Sequence, residues 1–430
     1  MHPGRRPSRT PLAAAALLAF ALVVTACSSG SSDAATKSSS STTSVDKDMT
    51  TDLAETSTTV PKTSTTSPPP EQYSGPDDGF YDVPKPLPAG KPGQLIRVQD
   101  LGTKDGVKTL KIMYHSRDAE RRDRAVTGLV SYPTTAAPLG GWPVTSYAHG
   151  TTGLATQCAP SRGNASPGTW GVDGVHVATD YVGLGPKGEV HPYLSGPSEG
   201  NSVIDAVRAA RNLPAAHAGT KWFSIGHSQG GHAALFGGER AATYAPELHL
   251  VGTVAMAPAT ELTKTCGDVD ALVSRIVSVM ALYGAAGEHP AIHPHDYVGP
   301  AVTKVEKIFE TGCLDQIIPA VAPIPADAFY THDPRTTDPA KGLLTKESQP
   351  GLVITKTPLY LAQGTADERV NIERTKDFFA RVCKGGQVTD LQIVKGDDHE
   401  AIVGDAAPAA ATWMNDLLAG KASPNSCPDS

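Results

Sequence analysis

From about residue 73 the chain alternates short apolar runs with longer amphipathic stretches. Residues 95–101, 109–115 and 125–132 carry the strand signal in close succession, which predicts early antiparallel pairing. Residues 144–148 and 175–180 are apolar runs ending in polar loops, the pattern of buried central strands. Val203, Ile204, Val207 and Ala210 then recur at helical spacing. Ser202 with Asp205 three residues on predicts a capping box for that helix, and Pro214 its end. A strand into His227, a helix to about Tyr244 and a strand at 250–256 follow.

The alternation breaks over residues 259–351, which hold a helical piece at 269–283, a His/Pro-rich loop and further helical fragments. Strand character resumes at 358–362 and 388–394, and residues 408–418 predict a closing helix. Alternating β and α units imply an α/β fold, with a mostly parallel central sheet and helices on both faces. The interruption predicts a largely helical cap inserted at the carboxyl end of the sheet. The expected organisation is a core over 73–258, a cap over 259–351, and the rest of the core with a tail over 352–430. No internal repeat is present.

The N-terminus belongs to none of this. Arg5, Arg6 and Arg9 precede an apolar run over 11–24, too short to span a bilayer comfortably. Residues 1–26 therefore predict an export signal. Val24-Thr25-Ala26-Cys27 resembles the lipobox of bacterial lipoproteins, which implies cleavage before Cys27 and lipidation of its sulfur. The alternative is a plain secretory signal cut near Ala26. Residues 27–72 are rich in Ser and Thr, cannot bury a core and predict a flexible tether.

Composition narrows the partners. The 430 residues carry a formal charge of −7 and no basic patch or tail in the mature part, which excludes nucleic-acid binding as a leading function. An exported chain permits disulfides among Cys158, Cys266, Cys313, Cys383 and Cys427. Five is odd, so one is left over. The expected pairs are Cys266–Cys313 and Cys383–Cys427, leaving Cys158.

The candidate chemistry centres on Gly226-His227-Ser228-Gln229-Gly230, between an apolar run and an Ala-rich segment. Strand, sharp turn and helix in that order define a nucleophile elbow, the mark of an α/β-hydrolase. A Ser hydroxyl needs a base, and the base needs an orienting acid. On this fold the chain order is Ser, acid, His. Asp367 follows the run at 358–362, with Glu368 as the alternative acid. His399 follows the last strand, thirty-two residues beyond Asp367, and no His comes after it. Asp397 and Asp398 fit turn formers better.

The oxyanion hole needs two backbone amides. One is expected from Gln229 and the other from His149 or Gly150, in the loop after the 144–148 strand. Residues 180–185 either line the site entrance or form a structural turn. Glu288-His289-Pro290-Ala291-Ile292-His293-Pro294-His295-Asp296 reads as a cap loop rather than a metal site, since its prolines oppose a helix that would align His289 with His293.

The chain resembles the secretory lipase family of α/β-hydrolases, which includes fungal lipase A and actinobacterial secreted esterases. The resemblance rests on Tyr147-Ala148-His149-Gly150-Thr151-Thr152-Gly153, Asp180-Tyr181-Val182-Gly183-Leu184-Gly185 with His191-Pro192-Tyr193, Gly226-His227-Ser228-Gln229-Gly230-Gly231-His232 and Tyr244-Ala245-Pro246-Glu247-Leu248. It implies carboxylic-ester hydrolysis by Ser228, Asp367 and His399, and a cap over an acyl-binding pocket. The fungal enzymes carry an acidic residue where this chain has His149. The expectation is thus an exported, membrane-tethered lipase or esterase acting on a small-molecule or lipid ester, with no metal and no cofactor. Acyl transfer by the same triad, and a non-catalytic lipid-binding surface lipoprotein on a hydrolase scaffold, are the alternatives.

Overall fold

The computed structural model describes residues 68–428, except 165–166 and 265–270. Cys27, the export signal, most of the tether and Cys266 lie outside the described residues. The described residues begin with β1 (Glu71–Tyr73), β2 (Leu95–Lys104), β3 (Val107–Arg117), β4 (Asp123–Pro133), β5 (Trp142–Ala148) and β6 (Val175–Thr179). Then come α1 (Gly196–Arg211), β7 (Ala218–His227), α2 (Gln229–Tyr244) and β8 (His249–Met256). A helical stretch holds α3 (Ala271–Ala286), α4 (Pro300–Thr303), α5 (Lys307–Thr311), α6 (Leu314–Val321) and α7 (Ala340–Lys346). The fold closes with β9 (Leu359–Gly364), α8 (Ile372–Lys384), β10 (Thr389–Val394) and α9 (Ala401–Leu418).

One sheet runs in the order β1-β2-β3-β4-β6-β5-β7-β8-β9-β10. The β2–β3, β3–β4 and β4–β6 pairs are antiparallel, and the block from β6 through β10 is parallel. All strands of that block therefore end at one edge.

Alternation across the pleat assigns the two faces. In β7, Trp222 packs with Val203, Ile204 and Ala233 from α1 and α2. Its neighbours Phe223 and Ile225 face the other way, onto Ile402, Ala406 and Trp413 of α9. In β8, Ala255 joins Leu235 of α2 and Phe378 of α8, while Val254 and Met256 join α9. The sheet is thus buried on both sides, which is why its parallel strands read as continuous apolar runs.

Two helix starts differ from the sequence reading. α1 begins at Gly196 with Pro197 in its first turn, so Ser202 lies inside it and donates to the Ser198 carbonyl at 2.8 Å. Asp205 bonds Ser116 and Tyr244 instead of closing a capping box. α9 begins at Ala401, and Pro408 lies within it. There Asp398 accepts the amides of Glu400 and Ala401, capping the helix well before the apolar periodicity becomes clear.

The cysteine pairing also differs. Cys158 bonds Cys313, and Cys383 bonds Cys427 as expected. Spacing suggested a staple within the helical stretch. The bond instead ties α6 to the loop after β5, where Leu314 N also donates to the Thr152 carbonyl at 2.8 Å.

Candidate active site

The elbow is built from close approaches. A side chain on Gly226 would meet the Gly230 carbonyl oxygen at 1.9 Å, and one on Gly230 would meet that of Ala148 at 1.9 Å. Ser228 sits between β7 and α2 with φ 59° and ψ −120°. This strain is held from several sides. Ser228 N donates to the Met256 carbonyl, and the Ser228 carbonyl accepts from Ala259 N and His232 N. Such over-determined strain clusters at functional positions.

The loops leaving β9 and β10 bring Asp367 and His399 together. His399 Nδ1 lies 2.8 Å from Asp367 Oδ2. The carboxylate also accepts Gln363 Nε2 at 2.9 Å and the amides of Arg369 and Val370 at 2.8 Å each. Burial works to raise the Asp367 carboxyl, but the His399 contact and the two amides outweigh it and hold it below the ordinary carboxylate range. Among the described residues Glu368 makes no contact with His399, whereas Asp367 does.

Ser228 and His399 line one cavity of about 890 Å³. Its far wall is apolar, with Ile276 and Val277 from α3 and Ile318 from α6. Arg369, Arg374 and Glu400 also line it. The Ser228 hydroxyl makes no hydrogen bond among the described residues and faces the same cavity as His399.

The first turn of α2 leaves the Gln229 N–H without an intrahelical acceptor. Across from it, an added Cβ on Gly150 would lie 3.7 Å from Ser228 Cβ, so the loop after β5 passes beside Ser228. Tyr181 donates its hydroxyl to the His149 carbonyl at 2.8 Å. In a trans peptide the following N–H points the opposite way. The Gly150 N–H has no protein acceptor among the described residues. The His149 ring is turned inward, with Nδ1 2.6 Å from the Gly150 carbonyl, and burial lowers its pKa.

Residues 180–185 do not line the cavity. Asp180, Tyr181, Val182 and Leu184 are fully buried behind the 149–150 loop, so the entrance reading gives way to the structural one. In the loop around Glu288, His289 pairs with Glu347 and His295 with Glu306.

Sequence reasoning passed over Glu199, His227 and the role of Tyr181. Glu199 is wholly buried and accepts from Gln229 and His232. Its one signal was an acid three residues ahead of Ser202, where the helix was expected to start.

A parallel sheet with a Ser elbow and an Asp–His pair at its carboxyl edge defines an α/β-hydrolase. The secretory lipase family matches residues 172–426, and the chain belongs to that family, so it is a carboxylic ester hydrolase of the lipase–esterase type. The family implies export; among the described residues no helix is long and apolar enough to cross a membrane. Lipase 10 of Candida albicans is 24% identical over 388 residues, covering 81% of this chain and 82% of that protein. A probable inactive lipase of Mycobacterium tuberculosis is 22% identical over 383 residues, covering 80% of this chain and 82% of that protein. Among solved structures, Candida antarctica lipase A superposes with a TM-score of 0.69 at 16% identity, over 82% of this chain and 88% of that one.

Proposed function

We propose that this protein is an exported, membrane-tethered serine ester hydrolase that works through an acyl-enzyme on Ser228. The observation that carries the reading is the His399–Asp367 contact at 2.8 Å beside a strained Ser228 in the same cavity. His399 takes the Ser228 proton as Oγ bonds the ester carbonyl carbon. The amides of Gln229 and of the His149–Gly150 loop, with Gly150 favoured by the Tyr181 contact, receive the negative charge on the carbonyl oxygen. His399 returns the proton to the departing alcohol. A water then repeats the sequence and releases the acid. Asp367 stays ionised and holds the imidazole with Nδ1 protonated.

On this reading residues 1–26 are removed, Cys27 carries the lipid, 27–72 form the tether and 259–351 cap the core. The sheet itself starts at Glu71, two residues inside the tether stretch. Two or more acyl chains give stable anchoring. The substrate is a small-molecule or lipid ester seated along the apolar wall.

The test is hydrolysis of p-nitrophenyl esters, from two-carbon to sixteen-carbon acyl chains, by the soluble domain and its Ser228→Ala variant. Loss of turnover on the order of 10⁴-fold or more in the variant supports the mechanism. Equal turnover in both, or none in either, sinks it and leaves the non-catalytic scaffold. The chain length at which activity peaks separates a lipase from an esterase. Membrane-fraction recovery of the full chain against Cys27→Ser tests the anchor.

A further inference from the structure

Under the elbow lies a polar network with no solvent contact. Glu199, in the first turn of α1, and His232, in the first turn of α2, are both 0% exposed, and Gln229 and His191 are each at 1%. Glu199 Oε1 accepts Leu194 N at 3.0 Å and Gln229 Nε2 at 2.7 Å, and Oε2 faces His232 Nδ1 at 2.8 Å. The second Gln229 amide proton points at His191 Nε2, 2.8 Å away. His191 Nδ1 lies 2.8 Å from the Val182 carbonyl, which can only accept. Nδ1 therefore carries the proton and Nε2 is the bare acceptor. Burial agrees, holding His191 down at about 4 and hence neutral. The 3.6 Å approach of His191 Nε2 to Glu199 is accordingly not an ion pair.

The network continues to the other side of the nucleophile. The His191 ring stacks on Tyr181 at 5.5 Å and 10°, and Tyr181 packs against His149 at 4.4 Å. The Tyr181 hydroxyl holds the His149 carbonyl. One buried carboxylate is thereby linked to both segments that flank Ser228: to Gln229 through its side-chain amide, and to the His149–Gly150 peptide through His191 and Tyr181.

A buried carboxylate is a costly way to stabilise a fold, since an apolar residue of similar volume often does as well. This one sits where two amides must be aimed to within a few tenths of an ångström. We propose that Glu199 is a positioning residue for ester hydrolysis, setting the Gln229 and Gly150 amides against the carbonyl oxygen. The inference rests on the Ser228 mechanism proposed above.

Three single variants of the full mature protein, Glu199→Gln, Tyr181→Phe and Ser228→Ala, and the Glu199→Gln/Tyr181→Phe double variant test it. The readouts are kcat per active site titrated with a fluorophosphonate, KM for p-nitrophenyl butyrate, inhibition by butylboronic acid, and the pH profile. Glu199→Gln keeps the shape but turns an NH₂ group toward one of its donors. Its kcat is expected to fall about 10–100-fold with KM nearly unchanged, because the oxyanion forms only in the transition state. Inhibition by the boronic acid, whose adduct carries that charge, should weaken by a similar factor. The pH limb should not move, since Glu199 does not touch His399. Tyr181→Phe keeps the stacked ring and loses only the hydroxyl; about a tenfold fall in kcat is expected. Because the two act through one network, the double variant should lose less than the product of the single losses.

A Glu199→Gln protein with lower stability but wild-type kcat per titrated site overturns the proposal. If that variant does not fold, wild-type kcat in Tyr181→Phe overturns it equally. Full turnover in Ser228→Ala is a different failure: it removes the underlying mechanism, whatever the other two variants do.

Discussion

The ring of His227 is hydrogen-bonded to the main chain of His399: its Nε2 lies 2.7 Å from the His399 carbonyl, and the two rings sit 4.6 Å apart at 48°. A carbonyl only accepts, so Nε2 carries a proton. Burial, helped by the neighbouring His399, pushes His227 down to about 4, so it is neutral at working pH. On the mechanism proposed above, the residue before Ser228 thus supports His399 without placing a positive charge beside it. We expect His227→Phe, which keeps the ring and loses the donor, to lower kcat about 3–10-fold with little change in KM. Wild-type kcat in a folded variant would show that packing alone holds His399.

Asp367 offers a sharper test of the site. Its carboxylate accepts from His399, Gln363 and two main-chain amides, so every lone-pair direction is used. In Asp367→Asn either the new NH₂ faces a donor or the oxygen is taken from His399. The expected result is a fall in kcat on the order of 10³–10⁴-fold, as where other triad acids lose their charge. Glu368→Gln, which touches none of these groups, should leave kcat unchanged. The reverse pattern in steady-state kinetics would move the acid to Glu368.

The parallel half of this fold was legible because its strands are buried on both faces and end in Gly-rich or acidic loops. Ser228, Asp367 and His399 each follow such a run, so their convergence could be read from the order of strands alone. Glu199 could not. Its helix starts with Gly196-Pro197-Ser198, which reads as loop, and its partners Gln229 and His232 lie thirty and more residues away. Tyr181 was hidden for a related reason: the contact that matters is between its hydroxyl and a main-chain carbonyl. The pairing of Cys158 with Cys313 spans 155 residues, and no local spacing encodes it.

That disulfide makes a prediction of its own. It ties α6 to the loop after β5, and both sulfur-bearing residues line the cavity. A peptide map of unreduced protein should recover Cys158 joined to Cys313. A Cys158–Cys266 or Cys266–Cys313 peptide would contradict the structure. Removing the bond as Cys158→Ala with Cys313→Ala frees a long loop in the unfolded chain, and a loss of about 2–4 kcal/mol in urea unfolding is expected. Because the cavity wall is anchored there, KM for long-chain esters should change more than KM for short ones.

Glu239 on α2 should make stability depend on pH in a direction opposite to the buried histidines. Its carboxylate accepts the Gly351 amide at 2.5 Å, where the chain returns from the helical stretch to the core. Burial raises its pKa to about 7, against an ordinary value of 4.5, and the amides of Gly351 and Val353 offset only part of that. Between those two pH values the folded state holds the proton that the unfolded state has released. The stabilisation from that proton is complete below 4.5 and is lost as pH rises through about 7. For His176, His191 and His227, each lowered by burial to about 4, the sign is reversed, and stability falls as pH drops below the ordinary histidine value. The wild-type profile sums these opposed effects, so the variant difference is the quantity to measure. Glu239→Gln copies the protonated side chain and cannot ionise. It should match wild type at about pH 4.5 and exceed it by about 2 kcal/mol at pH 8, a value reduced for partial exposure. Urea unfolding of both proteins across that range decides the matter. A difference that stays constant with pH would mean that Glu239 ionises in the fold as readily as it does in water.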